Sequence, residues 1–453
     1  MMLKDDKRRP EMCQQILKKI QDAGLKFCWI QFLDINGIMK SFGVATDRLP
    51  EILEIGASFD GSSITGYGVV EESDMVAVPD PTTFAIIPWR STESSVARFI
   101  CDIYTTDGRR YEGDPRYILQ RAVKKAADLG YAMKAAPELE FFLLKEDGQH
   151  VPQATDVRAY FDADPSDESQ LIRREIANYA ACFPDIQVET VHHEAARSQH
   201  EIDIKYGDAV AVADATTTMK MITKVVAARH GYIGTFMPKP WFGHNGSGMH
   251  VHMSIWDTNS KKNLFYDEND DNKVSQLMRY WIGGQLSHAK EMTAILNSWP
   301  NSYKRLVPMY EAPTYIAWGF KNRSMMIRVP NFFKKERSAR CEIRSPDPGG
   351  NCYLQLAALL TTGLDGITKK TDPGKPIETN IFHISEEEKN KLGIEYLPES
   401  LGQALHNYRH SAIMKEMMGD SAYKAFYDSK MDENRKYNQQ VSEWELKRYS
   451  QVL

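Results

Sequence analysis

Cysteine is scarce in this chain and never paired at short range. Its six cysteines, Cys13, Cys28, Cys101, Cys182, Cys341 and Cys352, show no Cys-x-x-Cys spacing. That pattern argues against a thiolate zinc site or a disulfide framework and for free thiols in a reducing compartment. Long apolar runs are absent too, so no segment is expected to span a bilayer. The opening residues, Met1–Arg9, lack the apolar core of a signal peptide, and a soluble cytoplasmic protein without a membrane partner is expected. No block of lysine and arginine stands out, and the formal net charge of −5 gives no electrostatic ground for nucleic acid. The densest basic stretch, Lys334-Lys335-Glu336-Arg337, reads as a solvated loop or as a phosphate contact. Internal repeats and low-complexity tracts are missing as well.

What is present is a set of short strand-like segments carrying polar groups two residues apart: Pro137-Glu138-Leu139-Glu140-Phe141-Phe142, His250-Val251-His252 and Glu342-Ile343-Arg344. In a strand, residues i and i+2 share a face, so each segment aims two ionisable groups one way and apolar neighbours the other. Such groups are costly to bury unless they meet one another, a metal or a ligand. Glu194 and Glu201 bracket a polar run, Ala195–His200. Five carboxylates and two histidines in these places suit divalent metals with an anionic substrate.

At 453 residues the chain exceeds an average domain, and two domains are expected. A short helix near 12–24 precedes a hairpin, Lys26–Leu33 and Ile38–Val44 around Asn36-Gly37. Strand-like stretches follow at Met75–Val78, Thr83–Ile87 and Val96–Ile103. We read 1–20 as an N-terminal helical segment, 21–106 as a small β domain and 112–453 as a large catalytic domain. The large domain opens with a well-marked helix, with Asp114 as N-cap, Pro115 at N1 and Gly130 beyond its end. A strand is expected over Tyr131–Lys145 and helices over Asp214–Gly231, Lys273–Leu296 and Cys352–Ile367, the last capped by Asn351. Ser400 with Gln403 has a capping-box pattern.

Each constellation also has a plainer reading. A strand with a wet face accounts for Glu138 and Glu140, and a turn accounts for Asp60-Gly61-Ser62-Ser63. The run Asn245–His252 places two glycines around a serine before His-x-His, which favours close approach to a ligand. Arg323, Arg328, Arg337, Arg340 and Arg344 are dense enough for carboxylate and phosphate recognition, although solvated charge is the usual alternative. Asn301–Pro313 is a proline-bounded loop carrying Arg305 and Glu311.

Together these segments resemble the glutamine synthetases, specifically the bacterial and archaeal type I enzymes, over nearly the whole chain. The resemblance rests on Phe59–Ser63 with Glu72-Ser73-Asp74, Pro137–Phe142, His192-His193-Glu194 with Gln199-His200-Glu201, Met237–Pro240, Asn245–His252, Asn301–Pro313, Asn322-Arg323-Ser324 and Glu342–Pro348. It implies an α+β fold, with an N-terminal β-grasp domain and a large C-terminal catalytic α/β domain of antiparallel strands and helices. It also implies a homo-dodecamer of two hexameric rings with active sites between subunits. The implied reaction is ATP-dependent ligation of ammonia to L-glutamate through a γ-glutamyl phosphate, with two to three Mg²⁺ or Mn²⁺ ions per site.

By position, the resemblance makes Glu140, Glu194 and Glu201 ligands of one metal and Glu138, His250 and Glu342 ligands of another. His252, Arg323 and Arg328 match phosphate contacts, and Glu189, Ser254 and Arg337 match nucleotide contacts. Asn245, Gly246, Arg305 and Arg344 match glutamate-binding positions. Asp60 resembles the residue that binds ammonium and removes its proton, and Glu311 the residue of a lid over the intermediate. Catalysis would rest on Asp60, Glu311 and Arg323.

The chain departs from that pattern in places. Met309 stands where the lid usually has glycine, Arg197-Ser198 replaces a small or Pro-Gly pair, and the loop Asn331–Arg340 is longer than usual. Phe382 replaces the tyrosine of an adenylylated subclass, and Val69 replaces an arginine of a feedback-inhibited one. Two alternatives therefore stand beside ammonia ligation: a γ-glutamyl ligase for methylamine, putrescine or another polyamine, and a non-catalytic regulatory paralogue. Regulatory small molecules or proteins remain open as further partners.

Overall fold

The computed structural model describes residues 8–67, 73–90, 95–146, 152–163, 166–184, 186–321, 324–333, 335–379, 381 and 384–453. Val69, Glu72, Asn322, Arg323, Lys334 and Phe382 lie outside the described residues.

A helix at Arg9–Asp22 leads into the first sheet: β1 Phe27–Leu33, β2 Met39–Ala45, β3 Ala57–Asp60, β4 Asp74–Pro79, β5 Ala85–Ile86 and β6 Val96–Thr105. The strand order is β2-β1-β6-β4-β3, with β5 also on β6. The β1–β6 pair is parallel, and the other pairs are antiparallel. The expected Asn-Gly turn joins β1 to β2. Gly37 takes φ +82°, and Asp34 Oδ1 accepts the main-chain N–H groups of Asn36 and Ile38. One side of the sheet buries Cys28, Ile30, Phe32, Phe99 and Cys101.

The second sheet holds β7 Tyr131–Glu146, β8 Pro152–Ala154, β9 Val188–His193, β10 Gln199–Ile204, β11 Gly207–Asp208, β12 Ile233–Thr235, β13 Val251–Asp257, β14 Tyr315–Gly319, β15 Met325–Arg328, β16 Cys341–Ile343 and β17 Glu395–Tyr396. Its order is β17-β14-β15-β16-β13-β7-β10-β9, with β8, β11 and β12 also pairing β7. The long β7 is thus the spine of the sheet, and every strand that pairs with it does so antiparallel. Helices Pro115–Asp128, Glu168–Ala180, Ala209–Arg229 and Cys352–Lys369 pack into one large core with it.

Two helices differ most from expectation. The helix expected from Asp214 begins at Ala209, and Asp214 is an interior position. Its carboxylate instead takes Arg116 Nε at 3.0 Å and Nη2 at 2.7 Å. Arg116 also reaches Asp80 and Asp102, so one buried guanidinium ties the small domain to the large one. The helix expected over Lys273–Leu296 starts later, at Gln276 behind the Ser275 cap, and divides at His288 into Gln276–Ser287 and Ala289–Leu296.

His288 lies between Glu291, at 3.3 Å, and Asp365, at 2.9 Å. The Glu291 hydrogen bond, helped by Asp365, raises its pKa above the usual histidine value. The protonated ring therefore binds the folded state more tightly. That stabilisation is present in full below the unfolded pKa of about 6.5 and is lost as pH rises through the raised folded value. His288→Gln is accordingly expected to lower the urea midpoint at pH 6 and to lower it less at pH 9. A deficit independent of pH would contradict the ion-pair account.

Candidate active site

Register within the second sheet creates the site. β7 and β10 pair so that Glu140 faces Glu201 and Glu138 faces Asp203. Like charges directly opposite on neighbouring strands repel, yet both Glu140 and Glu201 are buried. On the other side of β7, β13 pairs with β16 so that His252 faces Glu342, and β15 sets Arg328 opposite the same glutamate. His250 sits one residue before β13 and Arg344 one after β16, so both aim from strand ends rather than from within strands.

The contacts are dense. Glu138 meets His250 Nδ1 at 2.9 Å and His252 Nε2 at 2.7 Å through different oxygens. Glu342, 1% exposed, accepts from Arg328 at 2.9 Å and Arg344 at 2.5 Å. Glu140 accepts from Gln199 Nε2 at 2.8 Å and from the Gly248 main-chain N–H at 3.0 Å. Glu201 lies 3.2 Å from His192, and Glu194 accepts the Ala195 N–H at 2.6 Å. The Arg305 guanidinium is fixed by the carbonyls of Arg344, Ser345 and Pro346 at 2.9–3.2 Å.

Two glycines make this packing possible. A Cβ at Gly246 would lie 2.2 Å from the Pro238 carbonyl, and one at Gly248 would lie 2.6 Å from Arg305 Nη2. The glycines therefore bring the main chain against Pro238 and the arginine.

The electrostatics divide the carboxylates into two groups. Burial, then Glu201 and Glu194, pushes Glu140 well above the usual carboxylate range. Burial, then Glu138 and Asp203, pushes Glu201 up to about 11, and burial also raises Glu194. The Arg305 guanidinium offsets only part of this rise at Glu140. For Glu138, burial is outweighed by the hydrogen bonds to His250 and His252, which hold it well below that range. Burial is likewise outweighed at Glu342, chiefly by Arg344. His250 is pushed down to about 4 by burial and then by Arg344. Its imidazole is neutral at physiological pH and keeps a lone pair for a ligand. Buried carboxylates facing each other beside a neutral imidazole form a donor set that fits a hard divalent cation.

A cavity of about 120 Å³ opens on this cluster. Glu138, Glu140, Glu194, Glu201, Asn245, Gly246, His250, Arg305, Glu311, Arg328, Glu342 and Arg344 all line it. A second cavity, about 350 Å³, is lined by Glu189, His252, Ser254, Arg337 and Arg340. Glu138 borders both. Asp60 borders neither: it ends β3, exposed, with its carboxylate on the Ser62 N–H at 2.8 Å. Arg323 is outside the described residues.

Several residues at the site went unread in the sequence. Gln199 holds Glu140, Asp203 faces Glu138, and Tyr160 and Tyr310 line the smaller cavity. Asp203 and Gln199 each stand two residues from Glu201, so the alternation that singled out Glu138 and Glu140 could have found them. Tyr160 lies outside any strand, where no periodic signal exists.

Met309 takes φ +77°, a region that disfavours every side chain but that of glycine by about 1–2 kcal/mol. Its side chain is 76% exposed, so little packing offsets that strain. Met309→Gly is expected to raise the thermal midpoint by a degree or so and Met309→Val to lower it, as calorimetry would read. The opposite order would contradict the conformation.

Two family models match the chain: the glutamine synthetase β-grasp domain over residues 24–106 and the glutamine synthetase catalytic domain over 112–449. Glutamine synthetase of Methanosarcina mazei is 44% identical over 442 residues, covering 97% of this chain and 98% of that protein. The enzyme of Thermotoga maritima is 44% identical over 438 residues, covering 96% and 99%. Among solved structures, a GmaS/ADP complex superposes with a TM-score of 0.87 at 30% identity, covering 96% of this chain and 99% of that one. With the cross-strand carboxylates and the two-domain α+β architecture, these likenesses show that the chain belongs to the glutamine synthetase family.

Proposed function

We propose that the protein joins ammonia to the γ-carboxylate of L-glutamate at the expense of ATP, giving glutamine, ADP and phosphate through a γ-glutamyl phosphate. The observation that carries this reading is the meeting of two cavities at Glu138, one lined by carboxylates and arginines and the other by Glu189, Ser254 and Arg337. A phosphoryl donor in the larger cavity and an acceptor carboxylate in the smaller would come together at that wall. The relatives named above are glutamine synthetases, and the GmaS structure contains ADP.

Glu140, Glu194 and Glu201 would hold one divalent ion, and Glu138, His250 and Glu342 another, with Mg²⁺ or Mn²⁺ suited to such oxygen-rich ligation. When bound, the ions neutralise the phosphates and the carboxylate, which would otherwise repel each other. Arg305 and Arg344, with Asn245 and the Gly246 main chain, bind and orient glutamate. Arg328, with Arg323 and His252, spreads the charge of the transferring phosphoryl group. Glu189, Ser254 and Arg337 seat the nucleotide. Glu311, at the cavity mouth, excludes water and takes the surplus proton of the attacking amine.

Asp60 lines neither cavity of its own chain, which supports a site completed by a second copy within the expected homo-dodecamer. Among the described residues no helix is long and apolar enough to cross a membrane, in keeping with work in the cytoplasm.

Phosphate release with ATP, Mg²⁺ and glutamate tests the acceptor. Ammonium is expected to stimulate it far more than methylamine or putrescine. Preference for either organic amine would reassign the acceptor, and silence with all three would contradict catalysis.

A further inference from the structure

The segment that carries Glu311 is held in an unusual way. Residues 308–313 donate no hydrogen bond to another main-chain group among the described residues. The two neighbours of Tyr310 both occupy the left-handed region, Met309 at φ +77° and Glu311 at φ +57°. Such a conformation persists only where something outside the segment holds it.

Tyr310 makes one such outside contact. Its ring lies 3.8 Å from Lys239 Nζ and lines the smaller cavity. Lys239 itself is fixed: its N–H donates to Asn301 Oδ1 at 2.8 Å, its carbonyl accepts from Asn301 Nδ2 at 3.0 Å, and its ammonium donates to the His244 carbonyl. It is 6% exposed, and among the described residues no carboxylate forms an ion pair with it. A buried, immobilised cation over an aromatic face attracts that face more strongly than an exposed one does.

We infer that Lys239 is a positioning residue, a latch that draws the Tyr310 ring and with it Glu311 across the cavity mouth, so that the acyl phosphate meets the amine rather than water. This rests on the ligase reading above. In the productive step the amine nitrogen attacks the γ-carbonyl carbon, and the bond from that carbon to the phosphate oxygen breaks. Phosphate leaves with the electron pair, and the surplus proton on nitrogen passes to the Glu311 carboxylate. Attack by water at the same carbon breaks the same bond and returns glutamate and phosphate, so ATP is consumed without amide. The latch bears on the choice between the two because the ring lines the cavity and takes no part in either bond change.

The test is the ratio of phosphate released to amide formed, measured on the full-length protein at limiting ammonium. Tyr310→Leu and Lys239→Met are expected to raise that ratio about threefold or more, the range set by losing one cation–ring contact, with the KM for ATP held near that of the parent. Tyr310→Phe keeps the ring and Lys239→Arg keeps the cation, and both are expected to retain the parent ratio. Unchanged ratios in the first two variants overturn the latch, as does a raised ratio in Tyr310→Phe, a milder change that guards against misfolding of the others. A parent protein that forms amide while its variants behave so leaves the ligase reading standing. A parent that forms none contradicts both.

Discussion

Glu342→Gln is expected to abolish phosphate release from ATP, by about 10³-fold or more, because it removes a charged oxygen from the place where phosphoryl charge must be neutralised. The glutamate is 1% exposed and accepts from Arg328 and Arg344 together. Alanine would leave two guanidinium groups facing an emptied, buried position, a change of the kind that destabilises by about 3–5 kcal/mol. Glutamine keeps the shape and one acceptor, so loss of rate can be separated from loss of fold. Circular dichroism and the thermal midpoint should stay near the parent values while single-turnover ATP cleavage disappears. Full activity in a folded Glu342→Gln protein would remove Glu342 from the metal set.

Asp60→Ala should produce the second large effect, of a different kind. Hydrogen bonds from the Ser62 side chain and main chain hold the Asp60 carboxyl below the usual carboxylate range, so it is ionised at neutral pH and suited to a small cation. The variant is expected to keep the KM for ATP and for glutamate but to lose amide formation by about 10²-fold or more, the usual contribution of a positioned proton acceptor. Because Asp60 borders neither cavity of its own chain, the defect should be complemented in mixed assemblies. On the proposed site completed by a second copy, equal mixing of Asp60→Ala with Glu342→Gln subunits should restore some parent-type sites. Unchanged ammonium kinetics would reject the role, and failure of mixed assemblies to recover would reject its supply by a neighbour.

Much of this was legible in local sequence where period and chemistry agreed. The alternation Glu138-Leu139-Glu140 does lie on a strand, with Leu139 and Phe141 in the core. Asp114 does cap its helix, accepting the Arg116 N–H, and Gly130 takes φ +84° beyond it. Ser400 accepts the Gln403 N–H as expected, but the Gln403 side chain bonds Glu399 rather than Ser400, so the pattern is only half a capping box.

What could not be read was register and closure. Nothing local says that Glu140 will face Glu201 rather than Asp203, since a shift of two residues preserves every buried face. The division at His288 carries no periodic signal, and one partner of that ring, Asp365, is 77 residues away in the chain. The helix expected from Asp214 begins at Ala209, and the task of Asp214 is set by Arg116, 98 residues away in the chain. The resemblance implies ligand positions, but it says nothing of the contact between Lys239 and Tyr310, which spans two loops.

The most direct test of the central claim follows an oxygen atom. Glutamate labelled with ¹⁸O in its γ-carboxylate, turned over with ATP, Mg²⁺ and ammonium, should deliver one labelled oxygen to each inorganic phosphate released, because the carboxylate oxygen that attacks phosphorus leaves with it. Phosphate released without label would mean that water, not the γ-carboxylate, receives the phosphoryl group, and would contradict the account of the site.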